Sequence, residues 1–531
     1  MSLGFAISVA LSAHLAFSRL GFSPTDEGFI LAQSRRLLLG EVPHRDFITI
    51  RPAGSPLLHI PELLAGDHAF LVSRLVFWIE IAVIQWAWLE IARRELRLRW
   101  SLPTKVALLS AGFMLSSHTF PAMAWHTVDG IALASLGFLL LLSGGRSQVA
   151  TGYALIGLSA LCKQSFLPLA PLAVVGRGHW RRVAAWLMVF SAPIIYLLTM
   201  AAVGAWRDTV EQLSAQTGLL EFGVKPIVTC VGMWVGGVGG AVLVLIGRAP
   251  IPALPANGRR IVALAAVVVL ILLVSRQIGG TWEFLNQGSF WLLGVVLGIA
   301  ASAAALRDNT RLSCAALALG CTAVVSIGYH TPALASGPLL IVIFAEVATP
   351  AGSFASASSV PALAASALVV CLLPHWRTSR LDNIYHEAPR GALTERLDGV
   401  FPGAAGIRTN RNTRAVLEDL RVDISRFGQG RRYCILVDAA GYWALAHQRN
   451  PLPSDWPQAI ELCTPGLRER FSRALLGLPK GSVVLVQKDY FATLPMGFQP
   501  IEDSNPYYGA VAFARANLKK TGESRWWDLY R

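Results

Sequence analysis

The chain has 531 residues, 54% of them hydrophobic and only 15% charged, with a mean hydropathy of +0.50. Ordinary soluble domains carry about 25% charged residues, so a soluble enzyme of this length is disfavoured and many bilayer spans with a smaller attachment are expected. The 46 Lys and Arg exceed the 32 Asp and Glu by a net +14; in such a chain that surplus reports loop topology, and nucleic acid is not an expected partner.

The first apolar stretch, residues 3–17, has no basic flank before it and no small-x-small site after it, so it reads as a retained span. A hydrocarbon core takes roughly 17 to 25 apolar residues per helix. Segments near that size are centred at Val9, Ile81, Leu109, Leu136, Leu155, Leu169, Ile194, Val238, Val268, Val295, Leu317, Ile341 and Ala367, giving about thirteen spans within residues 1–373. With a cytoplasmic N-terminus, Arg93, Arg94, Arg97, Arg146, Arg181 and Arg182 fall on inner loops, and Asp26, Glu27, Asp46 and Asp129 fall outside. An odd span count places residues 374–531 outside as well.

Between the first two spans lies a long connection, residues 21–69. Loops of this length are functional or disordered. Residues 27–39 mix Phe29, Ile30, Leu31, Leu37 and Leu38 with Gln33, Ser34, Arg35 and Arg36, the composition of a helix lying in the membrane interface. Thr25 or Asp26 would cap its start and Gly40 its end. Asp26 and Glu27 are then either ordinary first-turn acids or acids held at the membrane surface for chemistry.

Further outer-face candidates follow along the chain. Asp129, in Trp125-His126-Thr127-Val128-Asp129, either caps the next span or supports an acceptor; His126 reads as a hydrogen-bonded interfacial residue, since no second His stands at metal-ligand spacing. Lys163-Gln164 sits at the turn of a short, broken helix pair, and an ammonium at that depth is costly enough to be functional by default. Arg276 and Glu283 share one outer loop, and His330 sits at the mouth of another; lipid-headgroup anchoring explains them nearly as well as substrate contact.

The remainder, 374–531, reads as a soluble α/β domain. Val416, Leu420, Ile424 and Phe427 share one helical face, 433–437 and 483–486 resemble buried strands, and Thr464-Pro465 starts a helix ending near Gly477. Cys434 and Cys463 would bridge in an oxidising compartment or stand as unrelated thiols. The other five cysteines lie in apolar runs without metal spacing. The small-residue run 351–359 reads as a linker.

The loop as a whole carries a resemblance. Asp26-Glu27 directly after a span, Leu39-Gly40 ending a helix, then Pro43, Asp46-Phe47 and Arg51-Pro52, together resemble the C-type (GT-C) glycosyltransferases that use lipid-linked sugars, such as protein O-mannosyltransferases and lipid A aminoarabinose transferases. His44-Arg45-Asp46 departs from the Tyr-containing pattern of many relatives. The resemblance implies that Asp26 is the catalytic base with Glu27 as neighbour or substitute, and that Lys163-Gln164 meets the lipid phosphate. Chemistry agrees: a base must take the acceptor's hydroxyl proton, and apolar surroundings raise a carboxylate's pKa toward usefulness.

The expectation is therefore a plasma (inner) membrane glycosyltransferase, inverting, with its active site on the extracytoplasmic face. Asp26, Glu27 and Asp129 are its catalytic candidates; Lys163, Gln164, Arg45, Arg51 and Arg276 are candidates for donor phosphate; Asp46, His126, Glu283 and His330 are candidates for the acceptor or for support. The partners are a polyprenyl-phosphate sugar, membrane lipids, and an envelope glycan, lipid or protein acceptor. No cofactor or divalent metal is expected. The alternatives are a transporter or flippase of a lipid-linked glycan, which predicts mid-span charges and inverted repeats, and a non-catalytic scaffold.

Overall fold

The computed structural model describes residues 2–118, 120–215, 219–248, 256–278, 282–306, 308–325, 331–348 and 359–531. Arg276 and Glu283 fall in described helices but their side chains are outside the description, and His330, together with most of the 351–359 run, lies outside the described residues.

The membrane part begins with α1 (Ser2–Phe17), then α2 (Phe29–Leu38) and α3 (Gly54–Leu58) in the first loop, and α4 (Ala69–Glu95). It continues with α5 (Leu102–Ser117), α6 (His126–Leu141), α7 (Arg146–Cys162), α8 (Leu169–Gly176), α9 (Val183–Ala202), α10 (Trp206–Ser214) and α11 (Lys225–Thr229). The last group is α12 (Val231–Arg248), α13 (Ala256–Ile278), α14 (Trp282–Ala305), α15 (Arg311–Val324), α16 (Ser336–Ala348) and α17 (Val360–Leu381). Every expected span centre lies in a helix. Four helical stretches, Ile60–Glu95, Val183–Ala202, Gly288–Ala305 and Val360–Leu381, are long and apolar enough to cross a membrane by themselves. Others fall short: α8 has eight residues and α15 fourteen, so thirteen full spans are not established. The expected domain boundary at 373/374 falls inside α17, which runs through Pro374 to Leu381.

The C-terminal part contains a short antiparallel pair, β1 (Glu395–Arg396) and β2 (Arg408–Thr409), then α18 (Arg411–Asp423), β3 (Tyr433–Leu436), α19 (Pro465–Leu476), β4 (Val483–Gln487), α20 (Gly509–Asn517), β5 (Lys520–Glu523) and β6 (Trp527–Tyr530). The main sheet has order β3-β4-β6-β5; β3 and β4 are parallel, and β6 runs antiparallel to both β4 and β5. Strands β3 and β4 are buried along their whole length, which is why they read as continuous apolar runs instead of alternating ones. Tyr433, Ile435, Val483 and Leu485 face one core with Val416 and Leu420 of α18. Cys434, Leu436, Val484 and Val486 face the other with Leu467 and Phe471 of α19. The Thr464 hydroxyl accepts from the Leu467 N–H, capping α19 as its sequence predicts. Of the two alternatives for Cys434 and Cys463, the structure has unrelated free thiols: Cys434 is buried in the sheet, and Cys463 turns to the Ala215 carbonyl at 3.7 Å.

Helix α2 corrects a second expectation. It does not lie on a lipid surface; the C-terminal domain covers it. Leu31 and Ala32 enter one domain core, Phe29 and Ile30 the other, and Arg36 is tied to Asp455 at 2.7 Å and to the Leu452 carbonyl at 2.7 Å. A domain supplies apolar surface as well as a bilayer does, so an amphipathic pattern fits either. Its stop is as predicted: Gly40 has φ +80 and the Glu41 N–H returns to the Arg36 carbonyl at 3.0 Å. Its start is not. Gly28, at φ +88, precedes the helix, and neither Thr25 nor Asp26 caps it.

Candidate active site under the C-terminal domain

Because Gly28 takes the turn into α2, the Asp26 side chain is released from capping. It is 8% exposed, and its Oδ2 accepts from the Tyr385 hydroxyl at 2.8 Å, just beyond the end of α17. The His386 Nδ1 stands 3.8 Å from the same oxygen. Burial pushes the Asp26 carboxyl up to about 6; the Tyr385 hydrogen bond opposes this, and the nearby negative charges of Asp438 and Glu27 add to it. Burial also lowers His386 to about 4, so its ring is neutral near pH 7.

Glu27 is placed differently. Arg74 of α4 grips it through Nε and Nη2, both at 2.6 Å, and also donates to the carbonyls of Ser18 and Gly21. The fork fixes the exit of α1 against α4. A small cavity of about 50 Å³ opens beside this pair, bounded by Phe22, Glu27, Arg74, Trp78 and Tyr385 among others. Tyr385 thus lines the cavity and holds Asp26.

The domain reaches Asp26 through glycine. A Cβ on Gly28 would lie 2.6 Å from the Gly441 Cα, and one on Gly441 would lie 2.5 Å from the Glu27 carbonyl oxygen. The two backbones touch where side chains would hold them apart. This seats Asp438, just past the end of β3, over the loop. Asp438 is fully buried and accepts from Tyr508 at 2.7 Å, from Gln487 at 2.9 Å, and from Gln458. Burial raises its pKa, and those hydrogen bonds oppose the rise.

A second group gathers around His126, whose ring meets Phe29 at 6.0 Å, while Phe29 meets Trp456 at 5.2 Å; Arg51 and Lys163 lie within electrostatic reach of His126. Lys163 follows α7 directly with extended backbone, is 3% exposed, and donates to the Thr127 hydroxyl at 3.2 Å. It has no carboxylate partner among the described residues. Arg51 lies within its electrostatic reach and pairs with Glu461 of the domain at 2.5 Å. His126 is buried, and both ring nitrogens lack hydrogen-bond partners among the described residues, which corrects its expected role as a hydrogen-bonded interfacial residue. Gln164 donates to the Ile50 carbonyl at 2.8 Å, binding the first loop to the α7–α8 break.

Other candidates lie elsewhere. Arg45 and Asp46 pair with each other at 2.9 Å at a partly exposed position. Asp129 does not cap α6. It is fully buried and meets His59 Nε2 at 3.1 Å, while His59 Nδ1 meets Glu62; Glu80 of α4 reaches the same cluster. Sequence reasoning missed Tyr385, Asp438 and His59, which only tertiary packing brings to these places. Glu80 had a visible signal, a lone carboxylate within the apolar run Phe77–Ala82.

Neither a protein-family model nor a curated protein matches this sequence. Among solved structures, the chain is similar to ArnT from Cupriavidus metallidurans, a crystal structure bound to undecaprenyl phosphate, at 11% identity over 99% of this chain and 97% of that one, with a TM-score of 0.41.

Proposed function

We propose that the chain is an inner-membrane glycosyltransferase that moves a sugar from a polyprenyl-phosphate donor to an acceptor hydroxyl at the extracytoplasmic face. The observation that carries this is the arrangement around Asp26. Among the described residues, a buried carboxylate with its pKa raised to about 6 has no cation paired to it, and the same membrane part holds a buried lysine with no acid partner. A base and a phosphate site need those two environments kept apart.

In this reading Asp26 takes the acceptor proton as the hydroxyl oxygen bonds to the anomeric carbon. The bond from that carbon to the donor phosphate oxygen breaks in the same displacement, with inversion, and the electron pair leaves on the phosphate. Lys163, with His126 and Arg51 beside it, receives that charge. Tyr385 orients the base. A monophosphate leaving group is neutralised by these side chains, so no divalent metal is required. Glu27 and Asp129 hold the scaffold. The arginines of the inner loops set the orientation by charge.

The test is transfer from radiolabelled polyprenyl-phosphate sugar to membrane extract by purified protein, with excess chelator present. Asp26→Asn keeps the Tyr385 hydrogen bond yet removes the base, and the expected loss is about 10²- to 10⁴-fold. Wild-type rates in that variant would overturn the assignment. Glu80, a carboxyl inside a span, favours a second reading, carriage of a lipid-linked glycan; labelled lipid crossing the bilayer without transfer would select it.

A further inference from the structure

At the opposite end of the bundle from Asp26, the C-terminal ends of α4, α6 and α8 and the N-terminal end of α15 do not close on one another. At about 1.5 Å per residue, eight and fourteen residues cover about 12 and 21 Å of a core that is about 30 Å thick. The shortfall leaves a cavity of about 340 Å³, near the lower limit of the roughly 300–1,000 Å³ typical of small-molecule sites. Its wall is apolar, with Ile91, Phe138, Leu141, Leu172, Leu312 and Ala318. Leu172 and Val175 at its lip are 52% and 56% exposed, which opens it sideways toward the hydrocarbon.

The mouth is charged. Glu95, Arg177 and Arg311 line it. Arg177 spends one nitrogen on Glu95 at 3.1 Å, and its Nε is buried without a partner. Arg311, the first residue of α15, is exposed and has no ion pair among the described residues. Two guanidiniums against one carboxylate leave a positive rim over an apolar hole. That polarity fits a phosphate above and acyl chains below, and a choline ammonium would meet Arg311 unfavourably. Arg93, Arg94, Arg97, Arg146, Arg181 and Arg182 crowd the same end, as at other basic pockets between spans that take anionic headgroups.

We propose that this cavity binds one anionic glycerophospholipid, its chains among α4, α6, α8 and α15 and its phosphate on Arg311 and Arg177. The site is separate from the transfer chemistry and stands whether or not that chemistry is as described above. The test is native mass spectrometry of the full chain in detergent, offered dioleoyl phosphatidylglycerol, dioleoyl phosphatidylcholine and undecaprenyl phosphate at equal concentration. Wild type is expected to retain phosphatidylglycerol in preference to phosphatidylcholine. Arg311→Gln is expected to weaken that adduct about fivefold, and Ala318→Trp, which fills the hole, to remove both phospholipids. Equal retention of the two phospholipids, or no effect of Arg311→Gln, overturns the proposal. So does Arg311-dependent displacement of phosphatidylglycerol by undecaprenyl phosphate. If Ala318→Trp does not fold, Arg311→Gln decides alone, because its side chain is exposed.

Discussion

Adjacent carboxylates, Asp26 and Glu27, have opposite environments, and each environment predicts a different loss. Glu27 neutralises a buried guanidinium at two 2.6 Å contacts. Glu27→Ala would strand Arg74, and removing one partner of a buried pair costs about 3–5 kcal/mol, to be read as a lower unfolding midpoint in detergent. Asp26→Asn leaves no buried charge behind and is expected to keep the wild-type midpoint. The pH dependence follows from the raised Asp26 carboxyl. Only its ionised form accepts a proton, so transfer should rise with pH through about 6 in a kcat/KM profile. Asp438→Asn removes a negative neighbour that disfavours ionisation, so the acid limb should move to lower pH. The acid pair was visible in the sequence. Their opposite surroundings were not, because Arg74, Tyr385 and Asp438 reach them from three separate stretches of chain.

Helices and strands were legible in proportion to how local their determinants are. The start of α19 follows from a hydroxyl three residues ahead of the N–H that donates to it, and the stop of α2 from one glycine. Strands β3 and β4 show as apolar runs, whereas β5 is exposed throughout and exists by pairing with β6. The seat of α2 was misplaced because its pattern reports an apolar neighbour without naming it. What fixes that seat is the approach of Gly28 to Gly441. Gly28→Ala would force an unfavourable φ of +88 and place a methyl 2.5 Å from Phe70. Overpacking of this kind costs about 1–3 kcal/mol, and a drop in thermal midpoint with reduced transfer is the expected outcome. A midpoint equal to wild type would mean that the domain does not press on the loop.

Across the whole molecule, hydropathy located the helices but did not locate the seam between bundle and domain. Pro374 and the basic residues after it look like an ending, yet α17 runs through that interior proline to Leu381, giving up the one i to i−4 bond its missing N–H would make. Residues just past that helix then re-enter the candidate site: Tyr385 bonds Asp26, and Glu387 accepts from the Phe22 and Ala388 N–H groups and from Thr409 and Asn410. The connector is therefore part of the candidate site, and the head above it is no interchangeable module. A chimera joining this bundle to a foreign head at Leu381 would inherit the carboxylate but lose the phenol that orients it and the glycine seat that buries it.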